Sequence, residues 1–204
     1  MPDQRTDETL FESYRRGERG ALRMLIERHQ AELMRFLTRL VGEAAGAEDV
    51  FQDAFLQVHL SADTFDATRR FRPWLFTIAA NKARDYLRKK GRRRMLELSA
   101  PVDGSGNGED SPGSFVDLLE INVPAPDARL DAQETSALVQ KALDLVPPLL
   151  REILLLAYFQ RLSYMQIHEE LGIPLGTVKS RLHAAVATFA KRWDEVSRSR
   201  GADE

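Results

Sequence analysis

Residues 162–182, LSYMQIHEELGIPLGTVKSRL, constrain the fold of this chain more than any other stretch. Ser163 stands where a helix N-cap is wanted, and Gln166 three residues later completes a capping-box pattern, in which each side chain satisfies a free backbone donor of the other. Ile167 and Leu171 then share one helix face. Gly172 supplies the left-handed backbone that ends a helix, and Pro174 forbids simple continuation. A second helix is expected from Leu175 or Gly176. It buries Val178 and Leu182 and turns Thr177, Lys179, Ser180, Arg181 and His183 outward. Two short helices joined by a Gly-centred turn, the second rich in donors on its free face, describe a helix-turn-helix whose second helix suits the DNA major groove. A merely solvated face has the same pattern, so the segment alone favours nucleic-acid binding without securing it.

The remaining organisation follows from charge and breakers. At 204 residues the chain is long enough for two small domains or one of ordinary size. It holds no cysteine, which excludes disulfides and thiolate metal sites. The first five residues carry no apolar signal core, and no apolar run is long enough to cross a bilayer, so a soluble cytoplasmic protein without membrane insertion is expected. The net charge of −2 hides a segregation: residues 82–94 hold eight basic side chains against Asp85, and residues 97–134 hold nine acids against Arg129. A basic strip followed by an acidic tether suggests a polyanion site beside a repulsive connector.

Along the chain, Asp7 is expected to cap a first helix on which Leu10, Phe11 and Tyr14 share a face, ended by Gly17. A longer helix over 21–41 carries Leu22, Leu25, Ile26, Leu33, Phe36, Leu37 and Leu40 at helical spacing. His29 beside that stripe reads as a satisfied histidine at the core edge. The next helix, 48–60, buries Phe51, Ala54, Phe55 and Val58 and lines up Asp49, Gln52 and Asp53 opposite. That acidic face is either plainly solvated or a docking patch for a basic partner. A loop over 63–70 leads to a helix from Phe71, with Pro73 in its first turn, running into the basic strip. Aromatics among arginines suit single-stranded nucleic acid; Phe65 and Phe71 are the rings expected to meet a base, whereas Trp74 is expected in the core.

Residues 96–128 hold too many Gly and Pro for one regular element and read as a linker, with a short amphipathic island at 115–121. Helical spacing returns from Leu130 to Val146, Pro147 and Pro148 break it, and a helix over 149–160 leads into the helix-turn-helix. The fold class is therefore all-α: two small helical domains joined by a flexible acidic linker, divided as 1–96, 97–130 and 131–197, with a disordered tail over 198–204. The four histidines are scattered, no Gly-rich phosphate loop occurs and no carboxylate pair forms a catalytic motif, so a binder without catalytic residues, cofactor or metal is expected.

Two separated segments, FRPWLFTIAANKARDYLR over 71–88 and AEDVFQDAF over 47–55, resemble region two of the extracytoplasmic-function (ECF) sigma factors of bacterial RNA polymerase. The helix-turn-helix over 162–185 is similar to region four of that family. The resemblance implies that the first domain melts and reads the minus-ten promoter element, a loop like 63–70 holding a flipped base and Asn81 lying where the family contacts that strand. Phe65, Arg69, Arg70, Phe71, Asn81, Arg84 and Arg88 form that implied surface. Thr177, Lys179, Ser180, Arg181 and His183 then read the minus-thirty-five element as duplex. Asp49, Gln52 and Asp53 match the surface that binds the clamp helices of the polymerase β′ subunit. The implied partners are the polymerase core (β′ clamp helices and β flap), promoter DNA and an anti-sigma factor, with the linker threading toward the active cleft.

Two departures stand out. After His183, where the family often has arginines, this chain has Ala184, Ala185 and Val186, which implies a weaker grip on phosphates. His168 replaces a usually small residue at the close approach of the two helices, which implies a wider angle between them. The competing reading is a stand-alone regulator that binds duplex operators as a dimer.

Overall fold

The computed structural model describes residues 4–66, 68–92 and 132–201. Every extended regular element among them is helical, and the chain divides into two compact units, Met1–Glu97 and Leu98–Glu204. The acidic segment expected to be a linker, with its island at 115–121, lies outside the described residues.

The first unit contains α1 (Asp7–Arg15), α2 (Arg19–Val41), α3 (Ala44–Leu60), a 3-10 turn (Ala62–Thr64) and α4 (Phe71–Arg92). Thr6, not Asp7, caps α1, its hydroxyl accepting the Thr9 N–H at 3.2 Å. Asp7 is thereby released to tertiary partners: its carboxylate accepts Arg28 at 2.7 Å and His29 Nε2 at 2.8 Å, both from α2. His29 is accordingly a buried, satisfied histidine. Gly42 ends α2 with φ 86°, a conformation that costs glycine nothing.

α3 starts four residues earlier than its apolar spacing predicts, at Ala44 rather than Glu48. The reason is a contact from α4. Gly46 is buried in the first turn so close to Tyr86 that an added Cβ would stand 2.6 Å from the phenol oxygen. Without a side chain there, Tyr86 reaches Glu43 and donates its hydroxyl at 2.7 Å, and Lys90 donates to the same carboxylate oxygen at 2.6 Å. These two bonds hold the Glu43 carboxyl below its ordinary range, and the same contact pushes the Tyr86 phenol up. α2 packs on α1, α3 and α4, and α3 packs on α4. Ala79, Ala80 and Ala83 are fully buried on α4, small enough for its axis to approach its neighbours closely.

The second unit contains α5 (Ala132–Asp144), α6 (Pro148–Gln160), α7 (Tyr164–Leu171) and α8 (Leu175–Gly201). Pro148 opens α6 at its first turn, where a missing N–H costs nothing. Arg151 reaches back to the end of α5, donating to the Asp144 and Val146 carbonyls at 3.0 and 3.3 Å. Each of the three shorter helices packs on α8, through a stripe of Val178, Leu182, Ala185, Val186, Phe189 and Trp193 at helical spacing. Burying a side chain the size of Val, Leu or Phe stabilises by about 1.5–3 kcal/mol, more than any local propensity supplies.

α8 runs to Gly201, so residues 198–201 of the expected disordered tail are helical, and residues 202–204 lie outside the described residues. Its last turns are stitched by Arg192–Glu195 at 2.7 Å, Arg198–Asp194 at 3.9 Å, and the Ser199 hydroxyl on the Glu195 carbonyl at 2.9 Å. Such neighbours three and four apart support a helix end without tertiary help.

Candidate nucleic-acid interface

In the second unit the turn chemistry is the one the sequence specifies. The Ser163 hydroxyl accepts the Gln166 N–H while the Gln166 side-chain oxygen accepts the Ser163 N–H at 2.9 Å, and Gly172 takes φ 62° at the end of α7. Pro174 then leads directly into α8. On α8 the most exposed line is Gly176, Ser180, His183, Ala187 and Lys191. Of the five residues expected to face outward, Ser180 and His183 lie on this line. Thr177 and Arg181 are half-buried on one flank and Lys179 half-buried on the other, so the free face is narrower than the sequence suggests. Ala185 and Val186 are core residues, so arginines at those two places have no route to a phosphate in this packing; only Ala184 is partly exposed.

In the first unit, α4 carries Asn81, Arg84 and Arg88 on one exposed line, three and four residues apart. Thr77 and Ile78, half-buried, precede them on that side. The strip is less bare than its composition implies. Lys82 donates to Gln57 at 2.8 Å, Arg84 to Asn81 at 3.1 Å, Arg88 to Asp85 at 2.9 Å, and Lys90 is held by Glu43. Like charges this dense are separated by neutral or acidic partners, which lowers their mutual repulsion in the free chain. Arg69 and Arg70 are exposed in the loop just before α4. That loop is fixed by Asp66, whose carboxylate accepts the Thr68 N–H at 2.9 Å and its hydroxyl at 2.7 Å; these bonds hold the Asp66 carboxyl below its ordinary range.

The aromatic assignments are corrected. Phe65 and Phe71 were the rings expected to meet a base, yet both are buried. Phe11 of α1 brings them together, its ring centre 5.1 Å from Phe65 and 4.9 Å from Phe71. The Glu8 carboxylate then accepts the Phe71 N–H at 3.0 Å, supplying the first turn of α4 with a partner from another helix. Trp74 packs tilted against this cluster, 4.5 Å from Phe65, but is only half-buried, so of the cluster's two rings on α4 it is the one with a solvent edge. Phe51 likewise is only half-buried, its ring tilted against Phe55 at 5.0 Å.

Asp49, Gln52 and Asp53 are all exposed on α3. Sequence reasoning missed that Leu56 and Leu60 continue the same line, 55% and 68% exposed. Their signal was present: they stand seven and eleven residues after Asp49, which on a helix is the same face. The face therefore carries acids at one end and two bare leucines at the other.

Among the described residues no group of His, Asp or Glu is placed to hold a metal ion, and no helix is long and apolar enough to cross a membrane.

The Sigma-70 region 2 family matches residues 25–93 and the Sigma-70 region 4 family matches residues 136–189. The chain is 31% identical over 185 residues to the RNA polymerase sigma-H factor of Pseudomonas aeruginosa, covering 91% of this chain and 92% of that one. It is 30% identical over 178 residues to the ECF RNA polymerase sigma factor SigW of Bacillus subtilis, covering 87% and 91%. The chain belongs to the ECF sigma factors. Among solved structures, a sigma factor of Bartonella quintana in complex with the anti-sigma factor NepR matches with a TM-score of 0.58 at 25% identity, over 86% of this chain and 96% of that one. Region 2 and region 4 in one ECF chain do not favour the stand-alone regulator.

Proposed function

We propose that this ECF sigma factor directs bacterial RNA polymerase core to specific promoters and initiates transcription there, acting in the cytoplasm and without catalytic residues of its own. The observation that carries this reading is the pairing, in one chain, of an exposed cationic line on α4 with a capped helix-turn-helix whose second helix presents Ser180 and His183. In this reading α8 lies in the major groove of the minus-thirty-five element, with Thr177, Lys179 and Arg181 flanking toward the phosphates. Asn81, Arg84, Arg88 and the loop arginines Arg69 and Arg70 meet the opened minus-ten strand. The solvent edge of Trp74 replaces Phe65 and Phe71 as the ring available to that strand.

The face of Asp49, Gln52 and Asp53, with Leu56 and Leu60, is the surface offered to the β′ clamp helices, and the second unit meets the β flap. Acids match a basic partner, and the two leucines supply apolar area for it to cover. A relative bound to an anti-sigma factor supports a further partner of that kind. Transcription in vitro with core polymerase and a random promoter library tests the proposal. RNA synthesis from defined start sites sharing two spaced elements is expected; failure to start at any defined site removes it.

A further inference from the structure

The turn between α7 and α8 has few free dihedral angles, and one side chain controls the last of them. Gly172 is fixed at φ 62° and ψ 27° by its N–H on the His168 carbonyl at 2.9 Å. Pro174 has its φ locked by the ring, and its ψ is held by its carbonyl accepting the Val178 N–H at 3.0 Å. Ile173, preceding a proline, is confined to extended backbone, but within that region its ψ sets the direction in which α8 departs. Rotation about that ψ swings the Ile173 carbonyl. That oxygen lies 2.6 Å from His168 Nδ1. A carbonyl only accepts, so Nδ1 carries the proton and the ring donates.

We propose that His168 is the positioning residue of the helix-turn-helix: its imidazole locks the Ile173 carbonyl and so fixes the angle at which α8 is presented to DNA. His168 thus holds the turn twice, by its backbone on Gly172 and by its side chain on Ile173. The ring closes the turn. The inference rests on the reading of α8 as the DNA-contacting helix. Loss of the bond leaves both helices folded, because the Ser163 and Gly172 caps of α7 and the core stripe of α8 do not depend on it. It frees the angle between them, and freedom in the unbound state is lost again on binding DNA.

Two measurements on the full-length chain test this. First, nitrogen NMR of the neutral His168 ring is expected to show the proton on Nδ1; the opposite tautomer overturns the proposal. Second, holoenzyme assembled with core polymerase is titrated with a duplex promoter selected by the unsubstituted protein. His168→Phe keeps the ring volume and removes the donor, and His168→Asn keeps a side-chain N–H at similar reach. A loss of about 3- to 10-fold is expected for His168→Phe, with recovery to within about twofold for His168→Asn, and core binding unchanged in both. Equal loss in the two variants, or none in His168→Phe, overturns the positioning role. Arg181→Ala separates the two readings: loss there without loss in His168→Phe removes only this inference, whereas no loss in either removes α8 as the DNA-contacting helix.

Discussion

Gln160 closes α6 with its side chain buried, and among the described residues neither amide atom meets a hydrogen-bond partner. A buried amide left without partners costs about 1–3 kcal/mol relative to an apolar group of the same size. Gln160→Leu is therefore expected to stabilise the second unit by about 1 kcal/mol. A raised urea midpoint in the full chain, with transcription retained, is the outcome to look for; a lowered midpoint means the amide has a partner after all. No sequence pattern distinguishes this glutamine from Gln52 or Gln57, because burial at a helix end depends on what packs over it. The same holds for the aromatic rings. Phe65 in a loop and Phe71 at the helix start look exposed beside arginines, and only the arrival of Phe11 and Trp74 buries them. Leu56 and Leu60, in contrast, were legible by counting along the face of Asp49, and a search for polar residues alone passes over them.

Whole elements were most legible where their signals are local. The capping box at Ser163 and the glycine stop at 172 act within a few residues, so sequence spacing suffices to place them. α1 is different: its acidic residue at position 7 serves α2, twenty-one and twenty-two residues away, and its Glu8 serves α4. Such partners cannot be read from the neighbourhood of Asp7. The consequence is a pH dependence of the first unit. Burial pushes the Asp7 carboxyl up, but the bonds from His29 and Arg28 together outweigh it, and the net shift is below the ordinary value of 3.8. A depressed carboxyl contributes stability that is fully present above the unfolded value and is lost as the pH falls through the folded one. Asp7→Asn is thus expected to lower stability at neutral pH, and the gap to the unsubstituted chain to shrink below about pH 4. Urea midpoints of the two proteins between pH 7 and pH 3 measure it, and a gap that stays constant across that range rules out the ionised pair as the cause.

At the scale of the molecule, each unit offers solvent a face of its own, and the proposed function requires those faces to do different work. The α3 face is acidic and apolar, the α8 face is polar and flanked by Lys179 and Arg181. Reversing charge at Asp49 and Asp53 alters two exposed side chains, which in general changes stability by no more than about 0.5 kcal/mol per site. Asp49→Lys with Asp53→Lys is therefore expected to abolish binding to core polymerase while the circular dichroism and melting of the chain stay as they were. Removing the α8 flank does the reverse. Lys179→Ala with Arg181→Ala leaves core binding intact, weakens promoter binding, and flattens its dependence on salt concentration by about one unit of slope for each lost phosphate contact. The two pairs must not share a phenotype. Co-purification with core enzyme and a salt titration of promoter binding, run on both variants, decide it: if the α3 pair still co-purifies with core, α3 is not the docking face, and if the α8 pair keeps its full salt slope, the flanking cations do not touch the DNA.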